Sequence, residues 1–249
     1  PGTDIYVELE AEQPFSELIG RVLTARDGGP GLFEGPIPGC VYIQPDSRAS
    51  REPMLVKGDL PPRLRQLDEI PSPYLNDLLA PFFDGRLTPF LETNRGCPFS
   101  CTFCHTGADY FQKINMFSLE RITEEIAYIA PRAAERGIVN LHIADTNFGM
   151  YPRDRSICEA LLESQRRYGW PRQVISTTGK NNKERVIDIT KILGNVFSVW
   201  MSVQSMDHRV LANIKRDNIS LDDYVAINQQ LKAQGRSTKG EVIIGLPGE

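Results

Sequence analysis

Arg95-Gly96-Cys97-Pro98-Phe99-Ser100-Cys101-Thr102-Phe103-Cys104 gathers three of the chain's five cysteines at C-x3-C-x2-C spacing. Thiolates are soft ligands, so three on one short loop suit zinc or iron–sulfur rather than magnesium or calcium. A structural zinc site takes four protein ligands in a closed tetrahedron, and a four-iron cubane normally takes four thiolates, one per iron. This loop supplies three, and no fourth cysteine lies within fifty residues of it. A four-iron cluster held here would keep one iron open to a small molecule. Two other readings stay open from the residues alone. His105 could complete a Cys3His zinc site, or three small apolar residues could have fallen together by chance.

Downstream of the loop, strand and helix patterns alternate. A strand is expected over Thr88–Thr93, running straight into the cysteines. Ser118 is placed to cap a helix whose Leu119, Ile122, Ile126 and Ile129 share one face. Strands are expected at Val139–Ala144, Gln173–Thr178, Val196–Val203 and Glu241–Leu246. Between them lie helices Asp154–Tyr168, Lys183–Leu193, a short Asp207–Ile214 and a longer one capped by Ser220 and ended by Gly235. Such βα repetition implies parallel strands with right-handed crossovers, a full or partial parallel (β/α) barrel. Barrels of this kind build their sites at the carboxyl ends of the strands, where the cysteine loop stands, and that position weighs against structural zinc.

Upstream, Asp4–Leu9 reads as a strand and Phe15, Leu18, Ile19, Val22 and Leu23 repeat at helical spacing. Residues 1–43 are expected to be the tail of an α/β domain, and the prolines of 44–87 to mark an irregular linker. The barrel core is expected over 88–249, cut short at its carboxyl end, and the natural beginning is expected to lie before Pro1.

The 249 residues are 41% hydrophobic and 24% charged, ordinary globular values, with net charge −4 and a pI near 5.6. No basic field points to nucleic acid, and no apolar run approaches the roughly 20 residues of a membrane helix. Five cysteines in a chain this long do not make a disulfide scaffold. The expected location is a reducing cytoplasm.

With an aromatic residue just before its third cysteine, the loop resembles the signature of the radical S-adenosylmethionine (SAM) superfamily. The resemblance spans 87–249 and implies a 4Fe-4S cluster on Cys97, Cys101 and Cys104. It also implies SAM on the open iron, reductively cleaved to a 5′-deoxyadenosyl radical. Phe103 would pack beside the adenine. Most of the family carries Gly-Gly-Glu after the second strand to hold the SAM ammonium; Asp145-Thr146-Asn147 stands here instead, so the role passes to Asp145 or Asn147. Ser202 and Gln204, on one side of their strand, resemble ribose and carboxylate contacts. Arg216 would fork onto the SAM carboxylate, and Lys180 could meet SAM or substrate. Gly245, with Gly248, would let the last strand's backbone approach the adenine closely. No residue is singled out as catalytic.

The segment Val7–Glu12 and the linker stretch Leu67–Tyr74 resemble the radical SAM group with an N-terminal cobalamin-binding domain, so 1–43 would be a Rossmann-like remnant. The resemblance implies cobalamin-dependent methylation or rearrangement of a small, natural-product-like substrate. The cobalamin would be bound by a domain absent from this chain, and an external donor such as flavodoxin or ferredoxin would supply electrons. A methylthiotransferase-like enzyme is the enzymatic alternative, although the extra leading cysteines usual there are not visible. An iron–sulfur electron carrier or a zinc-stabilised interaction module is the alternative of another class. A carrier ordinarily saturates its cluster with four cysteines, and a zinc module needs no motifs on four further strands.

Overall fold

The computed structural model describes residues 4–179, 183–233, 235 and 238–249, so Lys180 lies outside the described residues. The chain divides into two compact units, one ending at Arg65 and the other beginning at Gln66.

In the leading unit, β1 (Ile5–Val7) is followed by helix α1 (Glu12–Arg26), β2 (Cys40–Ile43) and β3 (Leu55–Lys57). All three strands pair antiparallel in the order β1-β2-β3. Leu18, Ile37, Cys40 and Tyr42 form a small buried core beneath them. Two expectations differ from this. Part of the supposed linker is a sheet strand, because Val56 turns inward to pack on the core while Leu55 and Lys57 face solvent. The pairing is also antiparallel throughout, without the parallel order a Rossmann-like sheet would carry.

The second unit is built on β4 (Phe90–Leu91), the short pair β5 (Asn94–Arg95) and β6 (Asn115–Met116), α2 (Leu119–Glu135) and β7 (Asn140–Ile143). Then follow α3 (Asp154–Tyr168), β8 (Gln173–Thr177), α4 (Lys183–Leu193), β9 (Phe197–Gln204), α5 (His208–Asn213), α6 (Leu221–Ala233) and β10 (Thr238–Val242). The main sheet runs β10-β9-β8-β7-β4, every neighbouring pair parallel and in chain order. This is the expected α/β architecture, a parallel sheet left open as a partial barrel. Ser118 caps α2 by accepting from Arg121 N at 3.1 Å, and Asp207 caps α5 through Arg209 N and Val210 N.

Side chains alternate along β9, with Phe197, Val199, Met201 and Val203 buried and Ser198, Trp200, Ser202 and Gln204 half-buried. Ser202 and Gln204 therefore share the open face with Trp200, as parity required. The first and last strands are shorter or shifted from expectation. β4 keeps only Phe90–Leu91 of Thr88–Thr93, and β10 ends at Val242 where a run to Leu246 was expected.

Candidate functional site

The cysteine loop is stapled at its base. Asn94 pairs with Met116 and Arg95 with Asn115, so residues 96–114 leave and return at one point on the rim. Cys97 N donates to Phe111 O at 2.9 Å, and 3-10 turns at His105–Gly107 and Asp109–Phe111 fold the return limb inward. Two glycines allow this closeness. A Cβ on Gly96, whose φ is +117°, would stand 2.5 Å from Phe111 O, and one on Gly107 would stand 2.1 Å from Cys101 O. Thr102 N donates to Ile214 O at 3.0 Å, which ties the loop to the end of α5.

All three loop thiols are free of disulfides; Cys97 and Cys101 are each 3% exposed and Cys104 is half-buried. Among the described residues no three His, Cys, Asp or Glu side chains converge on one metal position. A single zinc draws its ligands to one point, whereas a cubane takes each thiolate on a different iron. His105, the fourth ligand of the zinc alternative, stacks on Phe111 with centroids 4.9 Å apart. The donor set and its spacing fit a cluster. Cys158 and Cys40 are buried elsewhere, and burial pushes both thiols up, as in ordinary core cysteines.

Asp145 and Asn147 follow β7 into this rim and part company. Both carboxylate oxygens of Asp145 are occupied within the fold. Thr93 N donates at 2.8 Å, Asn94 Nδ2 at 2.6 Å and Asn94 N at 3.3 Å, and the Thr93 hydroxyl donates as well. Burial is the first cause, with Asp154 nearby, of an Asp145 carboxyl pushed up to about 7. This residue locks the end of β4 to the end of β7 and has no oxygen to spare for an ammonium. Asn147, 2% exposed, places Nδ2 3.3 Å from Cys97 Sγ and 3.0 Å from Thr146 Oγ1, while its buried Oδ1 has no hydrogen-bond partner. That orphan acceptor beside the cysteines is what an incoming ammonium needs.

Arg216 is buried, 6% exposed. Nη1 lies 4.0 Å from Cys101 Sγ, Nε donates to Asn218 Oδ1 at 2.7 Å, and Nη2 donates to Ser202 O. Burial lowers its pKa, against the raising effect of the three thiols it faces. Its guanidinium stands 5.9 Å from the ring centre of Phe103, which is 36% exposed. Ser202 Oγ donates to Glu241, and Gln204 ends β9 at φ +64° where the register with β10 slips. Gly245 has φ +85° and open space beside it. A Cβ at Gly245 would meet no protein atom within 4 Å, whereas at Gly248 a Cβ would meet Asn213 Nδ2 at 2.5 Å.

Sequence reasoning passed over Asn218, whose Nδ2 donates to Val203 O at 2.7 Å and Ser205 O at 3.1 Å. It splints the end of β9 and holds Arg216. A cleft of about 660 Å3 opens beside it, with Met206, His208, Leu211, Arg216 and Ile219 in its walls. Also unforeseen is the buried group behind the loop, where Tyr151 OH, Asp154 Oδ1 and Arg153 Nε and Nη2 have no partner.

A family model described as "Radical SAM superfamily" matches residues 91–249. The chain belongs to that superfamily. Two methyltransferases align along nearly all of its length. It is 35% identical over 262 aligned residues to the cobalamin-dependent radical SAM methyltransferase TokK of Streptomyces tokunonensis, covering 100% of this chain and 36% of that protein. It is 33% identical to the 2-(S-pantetheinyl)-carbapenam-3-carboxylate methyltransferase of Streptantibioticus cattleyicolor, covering 99% and 35%. The chain thus spans about a third of these relatives' length. Among solved structures, the fold matches the radical SAM methyltransferase TsrM of Kitasatospora setae, with cobalamin and a [4Fe-4S] cluster bound there. That match has a TM-score of 0.67 at 15% identity and covers 100% of this chain and 48% of that one. No helix among the described residues is long and apolar enough to cross a membrane.

Proposed function

We propose that this chain is the cluster- and SAM-binding core of a cobalamin-dependent radical SAM methyltransferase acting on a small molecule. The observation that carries it is the stapled loop of three disulfide-free thiols, two of them buried, with the Asn147 amide on one side and Arg216 on the other. When bound, the cluster supplies the electron that reductively cleaves SAM. Cys97, Cys101 and Cys104 would each hold one iron. Asn147 Oδ1 would accept from the SAM ammonium, and Arg216 would neutralise charge next to the thiolates. Ser202, Gln204, Phe103 and Gly245 remain candidate contacts at the same rim.

Methylation and cobalamin enter at the level of the whole protein, supported by the relatives' names and by the alignment of this chain to about a third of their length. The chain's three histidines, 105, 142 and 208, all lie outside the leading unit, whose sheet is antiparallel. A low-potential donor such as flavodoxin or ferredoxin, and a cytoplasmic setting, complete the reading.

The test is anaerobic reconstitution with iron and sulfide, then reduction in the presence of SAM. About four irons and four sulfides per chain and release of 5′-deoxyadenosine are expected. Alanine at Cys97, Cys101 or Cys104 should abolish both, and alanine at Cys158 neither. Stoichiometric zinc without sulfide would sink the reading.

A further inference from the structure

The Asn147 amide has a second capacity, set by its other end. Nδ2 points at Cys97 Sγ from 3.3 Å within a buried site. Charge fixes that orientation, because a thiolate attracts an N–H and repels a carbonyl oxygen. The amide is also held in place. Thr146 Oγ1 receives its second Nδ2 contact at 3.0 Å and itself donates to Gly96 O at 2.9 Å, one residue before Cys97. Two residues back, Asp145 is anchored by Thr93 and Asn94. The loop that carries Asn147 and the loop that carries Cys97 are thus joined from both sides.

We propose that Asn147 is a positioning residue that raises the cluster's reduction potential through an Nδ2–H···Sγ hydrogen bond to the Cys97 thiolate. The inference rests on reading Cys97 as a cluster ligand. One electron enters from a low-potential donor, no protein bond is made or broken, and the cluster gains one negative charge. A donor aimed at the sulfur stabilises the more negative, reduced state more than the oxidised one. In a buried site of low dielectric the effect is poorly screened. The same amide then serves ligand and metal together, Oδ1 toward the open iron's ligand and Nδ2 toward the thiolate.

The experiment is a potentiometric titration of the anaerobically reconstituted full chain without SAM, followed by electron paramagnetic resonance. Asn147→Leu keeps the approximate volume and removes the donor. The expected result is unchanged iron content and a lower midpoint, with the reduced-to-oxidised ratio at fixed poise falling about tenfold, or about 59 mV for one electron. A purely structural role would lower iron content and leave the midpoint of the remaining clusters unmoved, which overturns the inference. Full iron with an unshifted midpoint overturns it equally. A wild-type chain that takes up no cluster overturns the underlying reading as well, so the two failures are distinguishable. A second measurement needs no variant. Wild-type chain labelled with 15N in its asparagine side-chain amides should show a weak 15N coupling to the reduced cluster in pulsed spectra, and its absence overturns the proposal.

Discussion

The unit ending at Arg65 and the unit beginning at Gln66 each pack helix against sheet, and they do so with unequal success. In the second, α2 buries Ile122, Ile126, Ile129, Ala130 and Ala133, and β7 buries Leu141 and Ile143 completely or nearly so. In the first, α1 buries only Pro14 and Leu18 and leaves Phe15 at 54% and Leu23 at 52% exposed. Small units bury a smaller fraction of their surface and are correspondingly marginal. Within the second unit, the candidate site therefore stands on a well-buried parallel sheet.

The sharpest way to break that contrast is to cut a cavity in each core. Leu141→Ala should cost about 4 kcal/mol, since the side chain is fully enclosed between strand and helix layers. Leu18→Ala, at 8% exposure in a core of four buried residues, should cost about 2 kcal/mol. Urea denaturation followed by fluorescence and by circular dichroism would measure both. Equal losses would show that the leading unit is as well supported as the sheet.

Next in size is the clamp at Asp145. Removing its carboxylate strands the donors of Thr93 and Asn94 in a buried place, so Asp145→Ala should destabilise the second unit by about 3 kcal/mol. The same residue makes a pH prediction. Burial pushes the carboxyls of Asp145 and Asp154 up from 3.8 to about 7 and about 6. Between those limits the folded chain holds protons that the unfolded chain has released. Stability is therefore greatest below pH 4 on this account, and falls as pH rises through 6 and 7. Denaturation midpoints at pH 5 and pH 8 should show the loss, and Asp145→Ala should flatten it. A second unit more stable at pH 8 than at pH 5 would contradict the assignment.

These residues also show what the sequence could and could not carry. Helices α3 and α4 fall on their expected bounds, Asp154–Tyr168 and Lys183–Leu193, because amphipathic periodicity is local information. β10 was misplaced for the opposite reason. It is an exposed edge strand, Thr-Lys-Gly-Glu-Val, and the apolar Ile243-Ile244 beside it drew the reading although Ile244 is 89% exposed. The cysteine spacing declared the site, yet the division of labour between Asp145 and Asn147 depends on Thr93 and Asn94, some fifty positions away. Asn218 was invisible alike, since its Nδ2 donates to backbone carbonyls of β9 and of Ser205, thirteen or more positions away. A side chain whose role is to satisfy distant backbone has no local signature.

The smallest expected effect sharpens the comparison from the other side. Phe15, Ile19, Val22 and Leu23 are spaced i, i+4, i+7 and i+8, so they form one continuous stripe on α1. All four are at least 40% exposed, so each keeps about half of its surface in water. Phe15→Gln combined with Leu23→Gln should therefore change unfolding free energy by no more than about 0.5 kcal/mol. Were the stripe packed as tightly as the face of α2, the same pair would lose about 1.5–3 kcal/mol for each side chain. A contiguous apolar stripe in water also promotes association, so light scattering of the double variant should report less self-association than wild type. A loss well above 1.5 kcal/mol would mean that the stripe is covered in solution, and the difference between the two units would narrow accordingly.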